Sequence, residues 1–516
     1  MLWLLACTPG FEVDLLDGPN HLLPLYVAVH ERHVYSFSRM HGTLAVLTDG
    51  ELTGVFPLDD FPPAPAGLVA EDGGVWVFFD EHALKMSPTG EWIDVLDQPV
   101  LDVDGDRIAV PDGVYVGDVL QETPGVPLKL LDGGRVLLDD GTVLDDSGQV
   151  LCQAPFGSRR AVWGEGSVYV AKGAQIGRCG GDTVTLNEPK TVLWMDGELW
   201  ALDRIGDEDP NRGLLRVLSP DLEVLRSAPT GKNSGYGGWD GDTLWVNSEG
   251  SSEILGLVDE AVSVAVTTGV HVESVEHGVV TGRLSNRVWN DSRSRALTWP
   301  VAPRWFDDKV WVVLQQEMTL VALDPVSLET VETVETGLGP HNHLTLSDTA
   351  VWNDALWVSD GQTDVLWSTD RVIPLGEPLD KDASGRLELV VGDEALYVVR
   401  ARDGRVHRVT DEGVTGEVRV DLEPRTRMQL AAWDDGVLWV GDVALDGETL
   451  EVVDTGDFDF FVGRLGRDAV VWDEGLRVGG ERVHTQTGEE LPEVVIEGRS
   501  VLVTDIEDAA VRSFRP

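Results

Sequence analysis

Short apolar runs recur along the chain, each broken by Asp, Gly or Asn. The clearest case is AVWNDALWVSD (350–360), where two such runs flank Asn353-Asp354, a dipeptide suited to a tight hairpin turn. The second run, Leu356-Trp357-Val358, has no polar face, which predicts a strand covered on both sides. The same unit returns as VAEDGGVWVFFD (69–80), VLWMDGELWALD (192–203), GGWDGDTLWVNSEG (237–250), RWFDDKVWVVLQ (304–315), LVVGDEALYVVRARDG (389–404) and LAAWDDGVLWVGD (430–442).

Anchored on its second strand, the repeat falls near Val34-Tyr35, Trp76, Ile108-Ala109, Val136-Leu137, Val168-Tyr169, Trp200 and Trp245. It continues near Val279-Val280, Trp311, Trp357, Tyr397, Trp439, Val471-Trp472 and Val501-Leu502. That gives about fourteen units with a mean spacing in the high thirties, the length of a propeller blade repeat. The unit around Val136 is compact enough to belong to its neighbour.

Each unit reads as four short strands. VLWMDG and ELWALD give the first two of one unit, and GLLRVLSP (213–220) and LEVLRSAP (222–229) the last two. Every connection is short, so neighbouring strands pair antiparallel. No amphipathic helix pattern intervenes.

Four-stranded antiparallel units buried on both faces describe an all-β fold of β-propeller type, and a ring holds four to eight of them. The expectation is therefore two tandem β-propellers of about seven blades each. The divisions are 1–20 as an N-terminal segment, 21–270 as the first propeller and 271–516 as the second, with the seam near 266–278. The last unit lacks a fourth strand, and GFEVDLL (10–16) is a spare strand that could close an incomplete blade and seal its edge.

Charge changes the picture of possible partners. With 90 Asp and Glu against 39 Lys and Arg, the formal net charge is −51. Non-specific nucleic-acid binding needs the opposite footprint, so no nucleic-acid partner is expected. Eighteen Trp against six Tyr is unusual, and most of the Trp sit in the repeat. No apolar run is long enough to span a membrane.

At the N-terminus, Leu4-Leu5-Ala6-Cys7 resembles the lipobox of bacterial lipoproteins, in which the Cys carries lipid. That resemblance implies export to the cell envelope, with membrane attachment through Cys7 alone. The two remaining cysteines, Cys152 and Cys179, fall in the outer strands of successive units and are expected to be bonded, as suits an oxidising compartment. Two buried free thiols are the alternative.

Candidate chemistry belongs on the loops that lead from one unit into the innermost strand of the next, because these collect at one end of a channel. Several carry cations: Arg159 and Arg160, Lys190, Lys232, and Arg304. His341 and His343, Lys381, and Arg425 with Arg427 follow. The second-half set, Arg304, His341, His343, Lys381, Arg425 and Arg427, is the candidate ligand site. Converging cations there would draw a carboxylated or sulfated small molecule or glycan. Each cation pairing with a nearby carboxylate is the alternative.

LDVDGDRIAVPDG (101–113) places Asp102, Asp104 and Asp106 at alternate positions, but Gly113 stands where a calcium loop needs its twelfth-position Glu. It reads as a hairpin, and no metal or cofactor is expected.

The segment VALDPVSLETVETVETGLGPHNHLTLSDTAVWNDALWVSDG (321–361) resembles the YVTN-type repeat of bacterial surface propellers. It is also similar to streptogramin lyase and to the NHL and gluconolactonase propellers. The shared features are Leu-Asp-Pro-x-Ser, the loop Thr-Gly-x-Gly-Pro-His and the strand Leu-Trp-Val-Ser-Asp. The resemblance implies the propeller fold and two functions. One is a non-enzymatic envelope protein that binds a protein or anionic ligand. The other is a lyase or lactonase-type enzyme, in which a His of GPHNH serves as general base.

Overall fold

The computed structural model describes residues 11–14, 20–21, 23–38, 42–58, 65–206, 212–269, 274–276, 279–283, 285, 287–290, 293–338, 345–377, 385–422, 431–465, 467–473, 475–485, 494–497, 500–505 and 510–514. The protein is all-β. Its described strands form fourteen sheets, thirteen antiparallel sheets of four strands and one mixed sheet of five. All fourteen sequence anchors lie on the second strands of these sheets. The compact stretch around Val136 makes a sheet of its own, from Pro127–Leu131 to Val150–Gln153.

The turn chemistry explains the repeat. At the hairpin that ends Thr349–Trp352, Asn353 and Asp354 take φ of 50° and 56°, the left-handed pair a two-residue turn of this kind requires. The following Leu356, Trp357 and Val358 are all buried. Tight turns of this sort keep each sheet's strands consecutive, so one four-strand meander follows another along the chain.

The chain divides into two compact units. One is Gly18–Val270; the other combines Met1–Asp17 with His271–Pro516. Gly18–Val270 holds seven sheets, and its last sheet meets its first. Asn247, with no exposed surface, accepts hydrogen bonds from Gly235 N at 3.0 Å and Tyr236 N at 2.9 Å. Its Nδ2 donates to the Pro24 carbonyl at 2.9 Å. Thr268 Oγ1 donates to the His21 carbonyl at 3.0 Å, and Val27, Val34, Trp245 and Ile254 share one apolar cluster.

The second unit also holds seven sheets among its described residues. Its last sheet, from Val494–Glu497 to Ala510–Phe514, receives its outer strand from Phe11–Asp14, in antiparallel register from Phe11 opposite Ser513 to Asp14 opposite Ala510. The five-stranded sheet arises where Thr345–Leu346 pairs parallel with the start of Gly385–Val391.

Adjacent sheets are joined the same way in both units. Tyr169, from a second strand, stacks on Trp194 of the next inner strand, with centroids 5.2 Å apart and planes at 14°. Tyr397 and Trp433 repeat this at 5.2 Å and 19°. Both phenols donate to a backbone carbonyl of the next sheet's far turn, Pro220 and Gly447 respectively.

Cys152 and Cys179 are bonded, with Cα atoms 5.9 Å apart. Cys152 lies in the outer strand Val150–Gln153, as expected. Cys179 sits in the turn after Gln175–Arg178 rather than in the next outer strand. Cys7 lies outside the described residues. No helix among the described residues is long and apolar enough to cross a membrane.

Candidate functional site: the channel of Gly18–Val270

In each sheet the strand that comes first in the chain is an edge strand. In Gly18–Val270 these seven edges face one another across a cavity of about 760 Å³, to which all seven inner strands contribute. The wall therefore offers backbone N–H and C=O groups that no neighbouring strand uses. Apolar side chains such as Val27, Leu68, Val69 and Val192 pack between the sheets behind it.

The end of this cavity where connecting loops arrive is basic. Residues 154–160 bring Arg159 and Arg160 to the start of Ala161–Gly164. Arg160 N donates to Ser158 Oγ at 3.2 Å, and the Arg160 carbonyl accepts from Ala171 N at 2.8 Å. That pairing sets Lys172, the last residue of Ser167–Lys172, beside the two arginines. Arg160 Nη1 reaches the Pro189 carbonyl of the next sheet at 3.4 Å, next to Lys190.

Lys190 pairs with Glu188 at 2.5 Å, and Arg204 with Glu249 at 3.0 Å. Arg159, Arg160 and Lys172 have no ion pair among the described residues. Gly235 lies so close to Lys190 and Arg204 that an added Cβ would stand 2.8 Å and 3.1 Å from their side chains. The next residue, Tyr236, meets Tyr26 edge-on at 4.8 Å. Burial pushes the Tyr236 phenol up, while Arg160 and Arg204 pull it down.

The arc Arg160, Lys190, Tyr236, Tyr26 thus crosses four consecutive sheets. Across the channel, buried Asp102 accepts from Lys129 Nζ at 2.9 Å and from Leu130 N at 2.7 Å. Burial raises the Asp102 carboxyl, with Lys129 and Leu130 opposing the shift.

The hairpin end is acidic. Each of the seven inner hairpins carries a carboxylate, from Glu31 and Asp72 round to Asp196 and Asp240. A second cavity of about 700 Å³ opens there, and its charged lining is Glu71, Asp72, Asp104, Asp106 and Asp132 against Lys85 and Lys129, with His30 beside them. His30 Nε2 lies 2.9 Å from Asp72 Oδ1, and with Glu31 they form a loose group of potential metal ligands. Asp104 and Asp106 belong to the hairpin that follows Asp102–Asp104, and Asp104 pairs with Arg107 at 3.5 Å. The Asp-Gly-Asp motif is thus a strand turn.

Of the second-half cations, only Arg304 is described. It sits on Pro300–Phe306 and pairs with Asp348 at 3.8 Å. Asp348 in turn accepts from Leu389 N at 2.9 Å, so Arg304 takes part in a contact between sheets. His341, His343, Lys381, Arg425 and Arg427 lie outside the described residues.

Of the first-half cations that the sequence places in successive loops, Arg159, Arg160 and Lys190 line the cavity, whereas Lys232 ends the outer strand Val224–Lys232 and does not. Lys172, Arg204 and Tyr236 were not singled out from the sequence. Lys172 had a legible signal: a Lys ending a second strand lies at the same end as the loops. Arg204, one residue past the second strand Glu198–Asp203, carried the same signal; Tyr236 had none, because its contact with Tyr26 depends on ring closure.

No protein-family profile matches the chain, and no curated protein matches it. Among solved structures, it is similar to a catalytically inactive virginiamycin B lyase from Staphylococcus aureus with quinupristin. The two are 11% identical over 53% of this chain and 92% of that one, at a TM-score of 0.30. BamB from Moraxella catarrhalis is 12% identical, over 63% and 96%, at 0.30. The extracellular domain of a one component system from B. thetaiotaomicron is 12% identical, over 90% and 76%, at 0.30. Likeness at this level carries no argument about chemistry or ligand.

Proposed function

We propose that the chain is an exported β-propeller protein of the cell envelope that binds a small molecule in the channel of Gly18–Val270 without transforming it. The observation that carries this reading is the cavity of about 760 Å³ walled by seven inner strands. That volume falls within the roughly 300–1,000 Å³ of small-molecule sites. The wall suits selective capture: its edge strands offer backbone donors and acceptors that no neighbouring strand pairs, and charged groups stand at both ends with Lys129 between them. The Cys152–Cys179 bond supports export, because such bonds persist in oxidising compartments. Lipid on Cys7 would hold the protein at the membrane, and a C7S variant should then lose incorporation of labelled fatty acid.

The direct test is to purify the protein natively from the envelope, denature it and identify by mass spectrometry what it releases. One small molecule should be enriched, and it should raise the thermal midpoint when added back unchanged. Conversion of that molecule on incubation would replace this reading with lyase or lactonase-type chemistry. If nothing is released and a metabolite library produces no thermal shift, the channel is not a ligand site.

A further inference from the structure

The channel of Gly18–Val270 is electrically polarised along its length. The chain carries 90 acidic and 39 basic residues. Yet Arg159, Arg160 and Lys172 stand together at one mouth with no ion pair among the described residues. Arg159 and Lys172 are exposed, Arg160 is half-buried, and all three line the cavity. Neighbouring Lys190 and Arg204 are already neutralised by Glu188 and Glu249.

We infer that this mouth is a binding site for a small organic anion, with a carboxylate, sulfate or phosphate group seated against Arg159, Arg160 and Lys172. The inference rests on the reading of the channel as a ligand site and narrows it to a ligand class. Guanidinium forks match the paired oxygens of all three groups, and a lysine adds a point charge. Arg160 is already oriented by its bond to Pro189, which lowers the ordering cost of binding. The Tyr236 and Tyr26 rings beside it, set edge-on, offer apolar contacts for the rest of the molecule. The carboxylates ringing the hairpin end repel an anion, so the ligand enters and leaves by the basic mouth.

The test is calorimetric titration of the whole protein at low salt with glucuronate, glucose 6-sulfate and glucose 6-phosphate, using glucose as the neutral control. At least one anion should bind where glucose does not, and the strongest of the three identifies the head group. Raising the salt to about 0.5 M should weaken binding severalfold. The double variant R159E/R160E should weaken it about tenfold or more. Arg159 is exposed and Arg160 is half-buried with a single side-chain bond to the next sheet, so the circular dichroism should match wild type and the thermal midpoint should fall only slightly. K172Q, which removes one charge without reversing it, should give a smaller loss.

Equal binding of the anions by wild type and R159E/R160E would overturn the site. Salt-independent binding of glucose as tight as that of the anions would overturn the ligand class and leave the channel reading standing. Silence from all four probes in a protein that releases an uncharged molecule on denaturation would overturn the class in the same way. Silence together with an empty native protein would overturn both.

Discussion

Asn247 Nδ2 donates to the Pro24 carbonyl at 2.9 Å, joining residues 223 positions apart. The same side chain accepts from Gly235 N and Tyr236 N, which fixes the orientation of its amide, since a flipped group would set donors against donors. One buried residue therefore closes the ring of Gly18–Val270 and holds the loop that presents Tyr236 to the channel. Replacing it with Ala strands two buried backbone groups, Gly235 N and the Pro24 carbonyl, and the half-buried Tyr236 N. N247A should lower stability by roughly 3 kcal/mol. Urea denaturation followed by tryptophan fluorescence would read this as a lower midpoint; an unchanged midpoint would show that the ring is closed elsewhere.

The Tyr169–Trp194 stack makes a second, graded prediction. Y169F removes only the hydroxyl bond to Pro220 and should cost about 1 kcal/mol. W194A empties the space between two sheets and should cost about 3 kcal/mol. G164A should also destabilise, because an added Cβ would stand 2.0 Å from the Trp194 ring. The same denaturation assay ranks the three, and equal effects from Y169F and W194A would contradict the packing account.

The repeat was legible because each tight turn and each doubly buried strand leaves a local mark, Asn353-Asp354 and Leu356-Trp357-Val358 being the clearest. Its anchors Tyr169 and Tyr397 turn out to be the residues that stack on the next sheet. The site was legible only in part. Arg159, Arg160 and Lys190 could be placed in successive loops by counting strands. Which cations would keep a carboxylate could not, since Lys190–Glu188 is local while Arg204–Glu249 spans 45 residues and Arg304–Asp348 joins separate sheets. Cys179 was misplaced by a few residues because the turn before an outer strand and the strand itself have the same polarity.

Acid should weaken the second unit through His407. This imidazole is 1% exposed and lies near Arg400, itself 2.7 Å from buried Asp364. Burial holds its pKa below 6.5, although Glu417 at 3.4 Å and Asp403 push the other way and Arg405 adds to the lowering. A His whose folded pKa is depressed stabilises the fold above its unfolded value, and that stability is lost as pH falls from 6.5 toward the folded pKa. H407Q should therefore lose less stability than wild type between about pH 7.5 and about pH 5. Thermal midpoints across that range test it, and parallel curves for the two proteins would exclude the residue.

Reduction should loosen Gly18–Val270. The Cys152–Cys179 bond links residues 27 apart, and closing such a loop stabilises by about 3 kcal/mol in the chain-entropy account. Adding reductant should lower the thermal midpoint of that unit, and the double variant C152S/C179S should start from the lower value and ignore the reductant. A reductant effect that persists in the variant would assign it to another cause.

The central claim is that the basic mouth of Gly18–Val270 holds the charged end of a small ligand. It is tested most directly by a crystal structure of the protein soaked with glucose 6-sulfate. The account predicts sulfate density within hydrogen-bond distance of the Arg159 and Arg160 guanidinium groups, with the sugar directed past Tyr236 into the channel. Density for the sulfate at the hairpin end, or an occupied site elsewhere with this mouth holding only water, would contradict it.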